Sequence, residues 1–502
     1  MNIAKVLMGL LNVSLLLVAT EPSSAQTDAS SVQFTTLARF TGPNGLAVAQ
    51  PLVQASNGAF YGTSIYGGSG TYCGGLGCGT TFKITPSGTL TTLDSFLCSQ
   101  SGCPDGQDPN SALVQATNGY LYGTTQAGGA SNGGTIFKMA PNGALTTLYS
   151  FCAQSGCPDG VGPFGALVQA ANGDLYGTTP SGGVSDGGTI FKMTPSGTLT
   201  TLYSFCSQSS CADGQDPSGA LIQATNGDLY GTTTYGGTHD SPYCPSGCGT
   251  IFKITSTGSL TTLYSLCAQR GCTDGASPSG VLVQAANGDF YGTTTYGGIA
   301  NSSCPFGCGT VFKITPSGTL NTLYSFCSQP GCPDGNTPLA GLVQAASGNL
   351  YGTTSVGGAK GYGTIFKITS SGALTTLYSF CSQAGCADGA NPNGLVQSTN
   401  GSFYGTTDGP GGYGTAFALS TGEAPFVLTR PTIGIVGEVV TIIGYGLKGA
   451  TSVTFNGTPA TILYNAPTVI YAKVPAGATT GKVQVVTSGG TLTSNAVFEV
   501  AP

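Results

Sequence analysis

The sequence predicts an all-β protein: a seven-bladed β-propeller of four-stranded blades, its last blade completed by the N-terminal strand, followed by a small β-sandwich. Three observations lead there. A Tyr-Gly-Thr marker recurs at Tyr61, Tyr122, Tyr176, Tyr230, Tyr291, Tyr351 and Tyr404, at intervals of 53 to 61 residues, and a fixed period of this size signals a repeat architecture. The 502 residues include 82 glycines and 28 prolines, with 7% charged residues and no tryptophan, which disfavours helical bundles, coiled coils and acidic disordered tails. The repetitive region also begins with a strand that its last unit lacks.

Taken in chain order, the first element is a targeting segment. Lys5 precedes an apolar stretch from Val6 to Ala19, and Ser23-Ser24-Ala25 provides small residues for cleavage before Gln26, the pattern of a secretory signal peptide over residues 1–25. The apolar stretch is short for a membrane anchor, and Asn12 and Ser14 interrupt it. No later segment is apolar enough to span a bilayer, so the sequence predicts a secreted or cell-surface protein. Fourteen Lys plus Arg against twenty Asp plus Glu give a net charge of −6. No basic stripe is present, so nucleic acid is excluded as a partner.

Residues 33–420 hold the repeats. Strand a resembles Leu113-Val114-Gln115-Ala116, strand b Asp174-Leu175-Tyr176-Gly177-Thr178-Thr179, strand c Gly134-Thr135-Ile136-Phe137-Lys138, and strand d Leu199-Thr200-Thr201-Leu202-Tyr203-Ser204-Phe205. Their β-branched and aromatic residues suit a pleated, half-buried surface. Asn-Gly turns such as Asn172-Gly173 join a to b, and Pro-Ser-Gly turns such as Pro195-Ser196-Gly197 join c to d. Strands b and c are joined through a Gly-Gly loop, and d runs to the next a through a cysteine-containing loop. In an antiparallel meander alternate connections leave at opposite ends, which places every cysteine on one face. The first strand, Phe34 to Phe40, reads as a d strand without a, b or c before it, and the last unit stops after c at Phe417. Joining the two ends makes seven complete sheets and leaves no long exposed edge.

The eighteen cysteines of an exported chain read as disulfides. Six pairs lie in the d–a loops: Cys98/Cys103, Cys152/Cys157, Cys206/Cys211, Cys267/Cys272, Cys327/Cys332 and Cys381/Cys386. Three more, Cys73/Cys78, Cys244/Cys248 and Cys304/Cys308, lie in the b–c loops of units one, four and five. Where one member of a pair is missing from a repeat the other is missing too, so each pair is expected to bond internally. Zinc sites favour closer cysteine spacing or added histidine, and this chain has one histidine. No metal and no cofactor are expected.

The runs Gly-Thr-Ile-Phe-Lys, Leu-Thr-Thr-Leu-Tyr-Ser-Phe and Asn-Gly-Asp-Leu-Tyr-Gly-Thr-Thr resemble the GloVer-type tandem repeats of exported bacterial proteins, over about three quarters of the chain. The resemblance implies an exported or surface protein of uncharacterised activity. From about Pro425 the pattern changes: Val439 to Gly446, Val453 to Gly457, Lys473-Val474-Pro475 and Gly481 to Val486 read as short strands with Gly and Pro turns. Residues 425–502 resemble the IPT/TIG immunoglobulin-like domain. Some relatives of that domain bind DNA, but Arg430, Lys448, Lys473 and Lys482 are scattered, so a spacer or adhesion role is expected.

Enzymatic motifs are weak. Gly183-Val184-Ser185-Asp186-Gly187 matches a nucleophile-elbow string and Gly74 to Gly79 a dinucleotide loop, but neither has the following helix its chemistry needs. Loop aspartates Asp105, Asp159, Asp213, Asp274, Asp334 and Asp388 are expected to pair with strand-c lysines Lys83, Lys138, Lys192, Lys253, Lys313 and Lys367 as structural contacts. The repeat is least regular in units one, four and five, which alone place a tyrosine before Gly-Gly: Tyr66, Tyr235 and Tyr296, with Tyr72 and Tyr243 nearby. Aromatic rings with polar ends on stapled loops can stack on sugars or anchor proteins. A patch of Tyr235, His239, Tyr243 and Tyr296 across units four and five is the expected site, for an extracellular carbohydrate or protein ligand. The expected function is non-catalytic binding or adhesion. The alternative is a propeller enzyme acting on extracellular carbohydrate, a glycoside hydrolase or lyase, which would need converging carboxylates.

Overall fold

The computed structural model describes residues 32–501 except 49, 71, 101 and 410–412; the expected signal peptide lies outside the described residues. Unit three shows the common plan: a Val168–Gln169, b Leu175–Thr179, c Thr189–Met193 and d Leu199–Ser204, antiparallel in the order a-b-c-d. The same order holds in units one, two, four and six. Unit five adds Ala276–Pro278 beside a b strand lengthened to Phe290–Tyr296. Each c–d pairing carries a register shift, as between Ile190 and Phe191 in unit three, the local bulge that increases strand twist.

The seventh sheet is assembled from both ends of the repetitive region. Pro392–Gln397, Phe403–Thr407 and Thr415–Ser420 supply a, b and c, and Gln33–Arg39 supplies the outer strand, with Gln33 opposite Ser420 and Arg39 opposite Thr415.

Burial falls from b to d. All five residues of strand b are buried, strand c is buried except at its lysine, and strand d is half-exposed. The cause is packing on both faces. Tyr176, Ile190 and Phe205 of unit three form one apolar cluster with Leu221, Leu229, Phe252 and Ile254 of unit four, and equivalent clusters join each unit to the next. Tyr404 and Ala416 of unit seven, with Phe40, pack in the same way on Leu52, Phe60, Phe82 and Ile84 of unit one.

The marker glycine is explained by this packing. Gly177 lies opposite Phe191 on strand c, and a Cβ there would stand 2.6 Å from Phe191 Cζ and 2.7 Å from Leu167 Cδ2. The phenylalanine ring occupies the space that any larger residue would need.

Strand-a glutamines tie neighbouring sheets together. Gln115, Gln169, Gln223 and Gln284 each accept, through Oε1, a backbone N–H of the preceding unit, from Ser56, Thr117, Ala171 and Thr225 at 2.8–3.0 Å. Gln54 accepts likewise from Thr399 of unit seven at 3.0 Å.

The C-terminal part is a two-sheet sandwich. One sheet runs Leu428–Arg430, Val439–Ile443, Val469–Lys473, Thr461–Asn465; the other runs Thr458–Pro459, Ser452–Phe455, Val483–Thr487, Gly490–Thr493. Val440, Ile442, Val453, Phe455, Ile470 and Val485 fill its core. It rests on the ends of strands a and the a–b turns of units one and two: the Arg430 guanidinium donates to Gln115 Oε1 and Gln54 O at 3.0 Å, and Thr468 Oγ1 donates to Ser56 O at 2.9 Å. The cysteine-bearing b–c and d–a loops leave the sheets at the other end.

Candidate functional site

Nine disulfides close that end: Cys73–Cys78, Cys98–Cys103, Cys152–Cys157, Cys206–Cys211, Cys244–Cys248, Cys267–Cys272, Cys304–Cys308, Cys327–Cys332 and Cys381–Cys386. Each bridges a loop of five or six residues. By the chain-entropy relation such a loop is worth about 2 kcal/mol, so the bridges shape local turns rather than join distant strands.

The loop aspartates complete those turns. Strand-d tyrosine hydroxyls donate to them: Tyr149 to Asp159 at 2.9 Å, Tyr203 to Asp213 at 2.9 Å, Tyr264 to Asp274 at 3.0 Å, Tyr324 to Asp334 at 2.8 Å and Tyr378 to Asp388 at 2.8 Å. Backbone N–H groups of the same loops add to this, as Cys152 to Asp159 and Ser207 to Asp213. Burial, and then the aspartate beside them, push the Tyr149, Tyr264 and Tyr378 hydroxyls up to about 12; in Tyr378 a Ser382 hydrogen bond opposes the rise. Unit one departs from the rule. Asp94 stands where the d strands of units two to six carry tyrosine, and its carboxyl is raised by burial and, to a lesser degree, by Asp105.

These partners correct the expectation that strand-c lysines meet the loop aspartates. The ion pairs among the described residues are Lys192–Asp174 at 3.9 Å and Lys313–Asp289 at 3.5 Å, both to carboxylates of a–b turns. Lys138 Nζ lies 5.0 Å from the Tyr120 ring centroid. None of Lys83, Lys138, Lys192, Lys253, Lys313 and Lys367 forms a direct ion pair with Asp105, Asp159, Asp213, Asp274, Asp334 or Asp388. Register is the reason. Lys192 pairs with Tyr176 near the a–b turn, whereas the d–a loop begins beyond Thr189, three residues away along the strand; that is about 10 Å at the usual rise.

Among the expected binding residues, the structure brings Tyr235, Tyr243 and Tyr296 together in one cleft of about 440 Å³ between units four and five. Each wall has a cause in the local fold. Gln215 N donates to Tyr235 O at 2.9 Å, anchoring the start of unit four's b–c loop. Ser241 Oγ accepts from Tyr243 N at 3.2 Å. The added strand of unit five sets Ala276 opposite Tyr296. Cys244 and Cys272, from two different disulfides, form buried wall. Phe306 completes the lining, its ring centroid 4.3 Å from that of Tyr243.

The cleft is mostly apolar and no Asp, Glu, Lys, Arg or His lines it. Its four rings are strongly exposed, from 42% for Tyr235 to 58% for Tyr243.

His239 is not part of it. Its backbone carbonyl accepts from Cys248 N at 3.2 Å, and it lines a separate shallow depression with Thr262 and Tyr264. Tyr66 and Tyr72 belong to unit one and are exposed there, outside this cleft. Phe306 escaped the sequence reading because it fills the place that Ser246 takes in unit four's otherwise matching Cys-Pro-x-Gly-Cys tongue. An apolar ring inside a cysteine-closed loop was the available signal.

Four-stranded units capped by disulfides, set ahead of a sandwich, define a tandem-repeat β protein. The chain belongs to the family of the Gloeobacter/Verrucomicrobia repeat, whose family model matches residues 25–241, 70–304 and 207–419. An IPT/TIG domain matches residues 429–500. No curated protein matches the chain. Among solved structures it is similar to a fungal alcohol oxidase of the AA5 family in complex with copper, at 13% identity over 94% of this chain and 99% of that one, with a TM-score of 0.51. It is also similar to a structural-genomics protein of unknown function from Bacteroides thetaiotaomicron, at 12% identity over 78% and 99% of the two chains, with a TM-score of 0.39. A likeness at such identity concerns the fold alone. No helix of the described residues is long and apolar enough to cross a membrane.

Proposed function

We propose that residues 33–420 form a closed seven-bladed β-propeller, that residues 425–502 form its IPT/TIG appendage, and that the protein is an exported, non-catalytic binding protein. Ring closure is supported by the shared unit-seven sheet and by the contacts of units seven and one, Gln54 with Thr399 among them. Nine disulfides suit an oxidising compartment.

The observation that carries the binding reading is the cleft of Tyr235, Tyr243, Tyr296 and Phe306. Exposed aromatic faces flanked by phenolic hydroxyls, without charge, suit a neutral ring such as a sugar, which stacks its C–H face on an aromatic ring and hydrogen-bonds at its rim. Two things reduce the entropy lost on binding: tyrosine and phenylalanine have few rotatable bonds, and the loops are already cross-linked. The loop aspartates weigh against glycoside hydrolysis, since Asp159, Asp213, Asp274, Asp334 and Asp388 each accept from a strand-d tyrosine hydroxyl instead of facing one another across a substrate.

A glycan array probed with the mature protein tests this. Neutral saccharides should be retained, and Tyr243→Ala and Phe306→Ala should each weaken binding on the order of tenfold, with Tyr66→Ala as the unaffected control. Binding that is equal in all four proteins would remove the cleft from consideration.

A further inference from the structure

We propose that Cys304, Cys308, Cys327 and Cys332 form a tetrathiolate site for a thiophilic divalent cation, Zn(II), whenever the chain is reduced. The site is defined by the sulfur positions alone and does not depend on the ligand of the aromatic cleft. In unit five the b–c disulfide lies against the d–a disulfide, and all four sulfurs fall within 4.8 Å of one another. The edge of a zinc tetrathiolate tetrahedron is about 3.8 Å, from Zn–S bonds of about 2.3 Å, so small side-chain rotations convert one arrangement into the other.

The ligands are spaced as C-x3-C and C-x4-C, at the wide end of the C-x2–4-C range that structural zinc sites use, so the spacing that spoke against zinc in the sequence does not exclude it. Their backbones are held apart from the sulfur bonds. Asn301 accepts from Cys304 N at 3.0 Å and donates to Cys327 O at 2.8 Å; Cys308 O accepts from Thr337 N at 2.9 Å, and Cys332 O from Gly335 N and Gly358 N at 3.0 and 2.8 Å. Cys308, Cys327 and Cys332 are 1%, 2% and 4% exposed, so a bound ion would be shielded from water.

Units one and four approach this arrangement with three sulfurs each, Cys73, Cys98 and Cys103, and Cys244, Cys248 and Cys267. Pairs such as Cys152–Cys157 have no second pair in their unit, because units two, three and six lack the b–c cysteines. Doubled cysteine pairs occur in units one, four and five, and in unit five the two pairs bring all four sulfurs together.

Two molecules of a dithiol reductant deliver four electrons and four protons to the two disulfides and leave as their own disulfides. The four thiols then release four protons as Zn(II) binds four thiolates. Pro305 and Phe306 lie in the tongue between the first two ligands, so disulfide and metal would hold the same cleft residue by alternative cross-links.

The full mature chain should be reduced with dithiothreitol, desalted without oxygen and titrated with Co(II), then Zn(II). The expected result is the intense visible absorption of tetrahedral cobalt thiolate, saturating near one equivalent and bleached by Zn(II). It should persist in Cys152→Ser/Cys157→Ser and disappear in Cys304→Ser/Cys308→Ser. Alkylation of the zinc-loaded wild type, mapped by mass spectrometry, should find Cys304, Cys308, Cys327 and Cys332 protected together while Cys152 and Cys157 react. Absence of the absorption, or alkylation of the four at the rate of Cys152 and Cys157, would overturn the proposal.

Discussion

Asp216 shows how one residue can act against the stability of the whole. It sits in the d–a connection with φ +58°, its Oδ1 is buried without a partner, and burial raises its carboxyl from 3.8 to about 6. As pH climbs above 3.8 the unfolded chain gives up this proton first, so stability falls through that window and levels off above about 6. Asparagine tolerates the left-handed backbone and carries no charge to desolvate. Asp216→Asn should therefore raise the melting temperature at neutral pH, with the gain vanishing below 3.8, as calorimetry across pH would record. The aromatic cleft is also a residue-scale feature, and it was partly legible. Tyr235, Tyr243 and Tyr296 stood out because they break the repeat. Phe306 differs from its counterpart by a single substitution, and the depression that His239 lines has no sequence signature.

Strand identities could be read from the repeat because seven units restate them, so turn and strand residues reinforce one another. What the repeat concealed was the partner of each polar group. Lysine and aspartate recur together in units one to six whether or not they touch, and their separation depends on register, which spacing alone does not reveal. The Tyr-Gly-Thr glycine has a similar history: conspicuous as a marker, it owes its place to the Phe191 ring across the strand. Gly177→Ala should cost about 1–3 kcal/mol through overpacking. Gly173→Ala, at an open a–b turn with φ +85° and nothing within 4 Å of a Cβ, meets only the left-handed penalty of about 1 kcal/mol. Denaturant unfolding of the two variants would separate these causes, and equal losses would count against the packing account.

At the scale of the molecule, the first and last strands of the repeats share one sheet, and the terminal sandwich is pinned to the turns by Arg430. Removal of residues 33–39 should uncover the edge of Thr415–Ser420 and produce self-association, since an unpaired strand recruits another; light scattering beside a melting curve would register both effects. Replacing the Arg430 guanidinium, as in Arg430→Met, should release the sandwich and speed proteolysis within residues 421–426, while the repeats keep their melting temperature. Complementary ends could be read from the sequence by counting strands. The seat of the sandwich could not, because Arg430 bonds Gln115 and the Gln54 carbonyl hundreds of residues away. The pairing of Gln33–Arg39 with Thr415–Ser420 also sets a timetable. At the speed of a ribosome the segment made earliest waits on the order of tens of seconds for its mate, whereas each five- or six-residue sulfur loop can close as soon as it reaches an oxidising compartment. The nascent chain would thus acquire its cross-links piecemeal, and its final seam only when the whole array has been synthesised.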